Sequence, residues 1–199
     1  MTQNNLTKSE KLDIALRDSF PASDPIPLNS NPKRKEEQMS YELKKSDNLA
    51  GSDDLKPVAE TLSQVLADTF TLYLKTLNYH WNVEGARFVG IHNLTDEQYH
   101  NMFEAIDTLA ERIRALGYYS PGSYEEFSKM TTIHEASTGT VSAGDMLQNL
   151  ENDHMTLVAK LKESIPVVEK HDDSTTADLL SERRDFHEQA AWMLRSLGK

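Results

Sequence analysis

From Leu55 to the C-terminus, the apolar side chains of this 199-residue chain recur at intervals of three and four, a spacing that only a helix turns into one face. Leu55, Val58, Leu62, Val65, Leu66 and Phe70 open a first helix that runs to about Val83, where Gly85 and Gly90 mark a loop. A second helix is expected from about Ile91 to Leu116, with Gly117 as its stop. A long connection follows, Tyr118 to Val141, containing Pro121, Gly122 and Gly139 and leaving room for a short helix. Ser142 and Asp145 have the spacing of a capping box. They open a third helix carrying Met146, Leu147, Leu150, Leu157, Val158, Leu161 and Ile165, with Pro166 near its end. A fourth starts at Thr175 or Thr176 and carries Leu179, Leu180, Phe186, Met193, Leu194 and Leu197. No segment reads convincingly as a strand, and no internal repeat is present.

Four helices joined short, long, short predict an all-α four-helix bundle with a crossover between the second and third, the topology of ferritin-like bundles. Residues 51–199 are enough for one buried core. Residues 1–50 read as a separate N-terminal extension. Pro21, Pro25, Pro27 and Pro32 lie in a Ser/Asn/Asp-rich stretch followed by Lys33-Arg34-Lys35-Glu36-Glu37, a composition too polar to offset its ordering entropy. Ser9–Phe20 has the pattern of a short amphipathic helix, marginal in isolation. Met39 stands where an internal start would leave a complete bundle.

The charge is uneven. Residues 1–50 hold eight basic and eight acidic side chains and are neutral; the remaining thirteen basic and twenty-four acidic side chains carry the whole net charge of −11. This argues against a globally basic nucleic-acid binder. With no Cys, disulfides, thiolate metal sites and Cys nucleophiles are excluded, so a metal would be held by His, Asp or Glu. No apolar run reaches the roughly 20 residues of a membrane span. The N-terminus lacks the apolar core of a secretory signal, so a cytoplasmic location is expected.

Among seven His, the informative set is His80 and His92 with Asp96, Asp107 and Glu111. His80 follows Leu62 by 18 residues, about five helical turns, and so lies on the apolar stripe. His92, Asp96, Asp107 and Glu111 are spaced 4, 11 and 4 apart, which keeps them within a sector of about 100°. Imidazole with carboxylate oxygen suits Fe(II), Mn or Zn. His92 and Glu111 are 19 residues apart, about 28 Å along a helix, so one ion cannot touch both in one chain. The spacing permits two copies to pack about a two-fold axis, with His80, His92 and Asp96 of one facing Asp107 and Glu111 of the other. The alternative is a set of solvated helix residues and one satisfied core His, with Arg112 and Arg114 pairing with the two carboxylates. A rival arrangement is Glu-x-x-His, which builds di-iron sites inside a single bundle when paired. Copies occur at Glu97–His100 and Glu151–His154, but the fourth helix has none.

Residues 66–117 strongly resemble the Dps family, the mini-ferritins or DNA-binding proteins from starved cells. The resemblance rests on NYHW (Asn78–Trp81), on His92 twelve residues after His80, and on DTLAERIRALG from Asp107; residues 176–196 also resemble the family's fourth helix. It covers roughly residues 45–199. It implies a dodecameric shell with ferroxidase sites at two-fold dimer interfaces. His80, His92 and Asp96 would come from one subunit, and Asp107 and Glu111 from the other. It implies oxidation of Fe(II), preferentially by hydrogen peroxide, and storage of Fe(III) as a mineral, which protects against oxidative stress. Zn or Mn are possible substitutes for iron. Trp81 matches a family tryptophan that quenches radicals near the site; a large core aromatic is the other reading. DNA binding in the family often depends on basic terminal tails, represented here by Lys33-Arg34-Lys35 and Lys44-Lys45. The alternative function is therefore a nucleoid-associated protein that coats DNA with little ferroxidase activity. Asp145, Glu151 and Asp153 are candidates for lining an iron-entry pore.

Overall fold

Residues 41–46 and 53–199 are described by the structure, a computed structural model of the chain. The expectations for residues 1–40 and 47–52, including the Ser9–Phe20 helix, the Lys33-Arg34-Lys35 cluster and Met39, lie outside them. Among the described residues, the fold has four long helices and one short one. They are α1 (Lys56–Asn82), α2 (Phe88–Ala115), α3 (Tyr124–Met130), α4 (Ala143–Glu169) and α5 (Ser174–Gly198). A 3-10 turn, Asp53–Leu55, precedes α1. Among the described residues, extended pairing is limited to one isolated bridge between Lys45 and Tyr118.

The connections follow their sequences. Gly85, at φ +103°, lets the chain reverse within five residues between α1 and α2. Gly117, at φ +93°, ends α2, and the next amide, Tyr118 N–H, donates back to the Ile113 carbonyl at 3.3 Å. Pro166 lies inside α4, three residues before its end at Glu169, near the end as expected. The short helix in the crossover has a complete capping box between Ser123 and Glu126, which holds α3 against solvent. At Ser142 the box is half made. Its Oγ accepts from the Asp145 amide, but its own hydroxyl donates to Asp145 Oδ2 at 2.6 Å.

α1 clasps the crossover with one face. Gln64 donates to the Met130 carbonyl, Lys75 to the His134 carbonyl, and Asp68 accepts from the Thr131 hydroxyl and from both the amide and hydroxyl of Thr132. The core fills the space between the four long helices. Toward one end Leu62, Leu66, Leu109, Ile113, Leu161 and Leu180 pack together; toward the other Leu72, Ile91, Met102, Leu150, Leu157 and Leu194 do so. Each such fully buried side chain contributes about 1.5–3 kcal/mol.

α2 and α5 run antiparallel. Arg112 meets Asp173 and Thr176, Asn101 meets Arg183, and Gly90 lies against Leu197. α1 and α4 pair through Lys75 with Asp153 and Tyr79 with Asn149.

Candidate metal centre

The turn between α1 and α2 brings His80 and His92 face to face. Their rings stack with centroids 3.8 Å apart and 16° between planes, and Phe88 covers the other side of His92 at 5.0 Å. The backbones fix both rings reciprocally. His80 Nδ1–H donates to the His92 carbonyl at 3.0 Å, and His92 Nδ1–H donates to the His80 carbonyl at 3.0 Å. A carbonyl only accepts, so each Nδ1 carries the proton and each Nε2 keeps its lone pair for a metal. Thr95, buried beneath them, places its hydroxyl 3.2 Å from His80 Nδ1. A hydroxyl in this position is the kind of outer support that would orient His80 as a ligand.

Asp96 is the third member. Its Oδ1 lies 3.9 Å from His80 Nε2, close enough for one ion with bonds of about 2.1 Å to touch both. Tyr99 O–H donates to the same Oδ1 at 2.8 Å, and His100 Nδ1 lies 3.6 Å from Oδ2. The hydrogen bond to Asp96 pushes the Tyr99 phenol above its ordinary pKa. The sequence singled out neither Thr95 nor Tyr99. Each sits one turn from a candidate ligand, Thr95 three residues after His92 and Tyr99 three after Asp96, which is the signal that could have found them.

Asp107 and Glu111 lie on α2 beyond this trio, both exposed, and among the described residues neither makes an ion pair or hydrogen bond. The pairing with Arg112 and Arg114 does not occur. Arg112 turns to Asp173 at 2.6 Å and to Thr176 at 2.8 Å. Arg114 donates to the Tyr118 carbonyl and stacks over the Tyr119 ring at 4.4 Å. Two carboxylates one turn apart are left bare. Among the described residues of one chain, no three His, Asp or Glu side chains form a metal-holding group. The five candidates therefore stand as two separate half-sets.

Neither Glu-x-x-His copy builds a site. Glu97 and His100 are exposed. Glu151 pairs with Arg195 at 2.6 Å, whereas His154 turns inward and bonds His187. Of the pore candidates, Asp145 accepts from the Ser142 hydroxyl in the first turn of α4, Glu151 is held by Arg195, and Asp153 is held by Lys75 at 2.7 Å. Trp81 is not a core aromatic: it is 65% exposed. It borders a groove of about 570 Å³ with Phe70, Leu74, Tyr124 and Phe127.

Residues 59–199 match the family model for a ferritin-like domain. A low temperature-induced protein of Nostoc sp. is 41% identical over 75% of this chain and 84% of its own length. A DNA protection during starvation protein of Brevibacillus brevis is 36% identical over 70% of this chain and 93% of its own. The crystal structure of a Dps protein from Vibrio cholerae O1, described as a member of a broad superfamily of ferritin-like diiron-carboxylate proteins, superposes with a TM-score of 0.71. It is 26% identical and covers 77% of this chain and all of its own. With this bundle, these half-sets and these relatives, the chain belongs to the Dps family of ferritin-like proteins.

Proposed function

We propose that the chain oxidises Fe(II) with hydrogen peroxide at sites shared between two subunits and stores Fe(III) inside a dodecameric shell, in the cytoplasm. The observation that carries this reading is the pair of locked imidazoles. His80 and His92 spend their Nδ1 protons on each other's backbone and offer Nε2 beside Asp96, while Asp107 and Glu111 stand bare on the same helix. The two half-sets complete one another only if a second copy brings its carboxylates to the imidazoles across a two-fold axis. Leu74, Trp81, Phe103 and Tyr124 are exposed, large apolar side chains of the kind that a second copy covers.

Iron is the substrate. Two Fe(II) give one electron each to one hydrogen peroxide, and with two protons this yields two Fe(III) and two water molecules. The carboxylates offset the charge gained by the metal, and the neutral imidazoles allow Fe(II) to enter before oxidation. Zn(II) and Mn(II) fit the same donors as competitors without turnover. Trp81, next to His80 in sequence, is placed to quench radicals that escape. Residues 1–50 act as an extension to the 51–199 bundle.

The test follows Fe(II) oxidation with limiting hydrogen peroxide and with air, while size-exclusion chromatography tracks the iron. Fast peroxide-driven oxidation with iron co-eluting in a shell of twelve subunits supports the reading; oxidation no faster than buffer sinks it. Glu111→Ala should lower the rate by on the order of 100-fold. The DNA protection named for the relatives favours a second reading, DNA coating by the extension with little oxidation. That binding would survive Glu111→Ala and fall steeply with salt.

A further inference from the structure

Four polar side chains that the metal centre leaves unused lie inside the bundle. The antiparallel register of α2 and α5 sets Gln98 level with His187, and the contact between His154 and His187 brings α4 to the same level. Arg183 is one turn away on α5. All four are more than nine-tenths buried: Gln98 is 3% exposed, Arg183 6%, and both His 0%.

Their partners are few. His154 Nδ1 and His187 Nδ1 share one hydrogen bond of 2.8 Å. Arg183 donates from Nη1 to Asn101 Oδ1 at 2.8 Å and lies over the Phe186 ring at 4.5 Å. Its Nε and Nη2, both amide atoms of Gln98 and the Nε2 of each imidazole bond to nothing among the described residues. Nor does any carboxylate among them pair with Arg183. A guanidinium cannot shed its proton to escape burial, and a lone buried charge is costly.

The donors decide what the layer accepts. Two neutral imidazoles joined Nδ1 to Nδ1 leave one N–H and one lone pair at their Nε2 atoms. Adding Arg183 and Gln98, the unpaired groups amount to about six N–H donors against two acceptor atoms. Water brings as many donors as acceptors and leaves that surplus standing. A cation is repelled by Arg183. An anion accepts only, and it also cancels the charge.

We propose that this layer is a buried site for a small monovalent anion of halide size, held by Arg183 with the Gln98 amide and an imidazole N–H. The site ties α5 to α2 and α4 in the middle of the bundle and is independent of the iron reading.

The test uses the full chain in its native assembly and bromide as the probe. Thermal unfolding is followed in sodium bromide and in sodium gluconate at equal ionic strength. Expected is a Tm that rises by a few degrees over a hundredfold range of bromide and not with gluconate, as linkage requires. Arg183→Met keeps the buried volume and should abolish the bromide response. Crystals grown in bromide should show an anomalous peak in hydrogen-bonding reach of Arg183. The proposal is overturned if the two salt series coincide, if Arg183→Met keeps the response, or if the bromide crystals hold water alone there. Should Arg183→Met not fold, Gln98→Leu and the bromide map decide in the same way.

Discussion

His80 and His92 show how little separates an ordinary helix pair from a metal half-site. Everything depends on which nitrogen is free, and the backbone carbonyl of the opposite residue settles that. Thr95 then becomes a positioning residue for His80. Thr95→Val, nearly the same shape, should weaken anaerobic Fe(II) binding by about 10-fold with Tm nearly unchanged. Equal binding by the variant would remove Thr95 from the site. The second consequence at this scale is acid sensitivity. Burial pushes His154 down to about 3, and burial, with repulsion between the two imidazoles when protonated and from the Arg183 charge behind it, pushes His187 well below its ordinary value. The unfolded chain titrates these groups near 6.5. Between about 3 and 6.5 the unfolded state therefore binds more protons, so stability is complete above 6.5 and falls as pH drops through that window. Urea titrations at pH 7 and pH 5 should show a lower midpoint at pH 5, and His154→Leu/His187→Leu should narrow the gap. A gap unchanged by the double variant would place the acid sensitivity elsewhere.

At the scale of elements, the four long helices were legible because their apolar spacing is a physical cause of burial. α1 begins and ends within a residue of Leu55 and Val83, and α4 begins directly after Ser142. α3 was less so. Its capping box, Ser123 to Glu126, is open to reading, but the helix it opens has only seven residues, too few for periodicity to register. The box expected at Ser142 is half formed because Asp145 is one methylene shorter than Glu126 and turns to the hydroxyl, not to the amide behind it. The meeting of His80 with His92, and the distance of Asp107 and Glu111 from them along α2, follow from spacing. The inner His pair is not legible as a pair, although His154 sits between Leu150 and Leu157 and His187 midway between Leu180 and Leu194, each on a buried stripe. No spacing along one helix announces a partner on another. The same holds for Asp68, whose contacts lie more than sixty residues away. Asp68→Ala would strip a partly buried amide and two hydroxyls of their acceptor. It should cost about 1–2 kcal/mol and open the crossover near Thr131 to proteolysis before the bundle. Asp68→Asn, which keeps an acceptor, should cost less. Equal protease resistance in Asp68→Ala would mean the crossover is held by Gln64 and Lys75 alone.

For the whole molecule, the proposed reading gives one chain two incomplete half-sets, and mixed assemblies test this directly. One parent carries His80→Ala/His92→Ala and keeps its carboxylates; the other carries Asp107→Ala/Glu111→Ala and keeps its imidazoles. Neither alone has a complete site, whichever way the sites are built, so both should oxidise Fe(II) no faster than buffer. Reassembled in equal amounts, half of the two-fold pairs should be mixed. A mixed pair has one site with sound imidazoles facing sound carboxylates, and one site with neither. The mixture should therefore recover about one quarter of the wild-type rate per subunit. Sites built within single chains would predict no recovery at all, because no chain in the mixture has both half-sets. The two architectures thus differ as one quarter differs from zero, and the outcome does not depend on knowing the oxidant, the capacity of the shell or the role of residues 1–50.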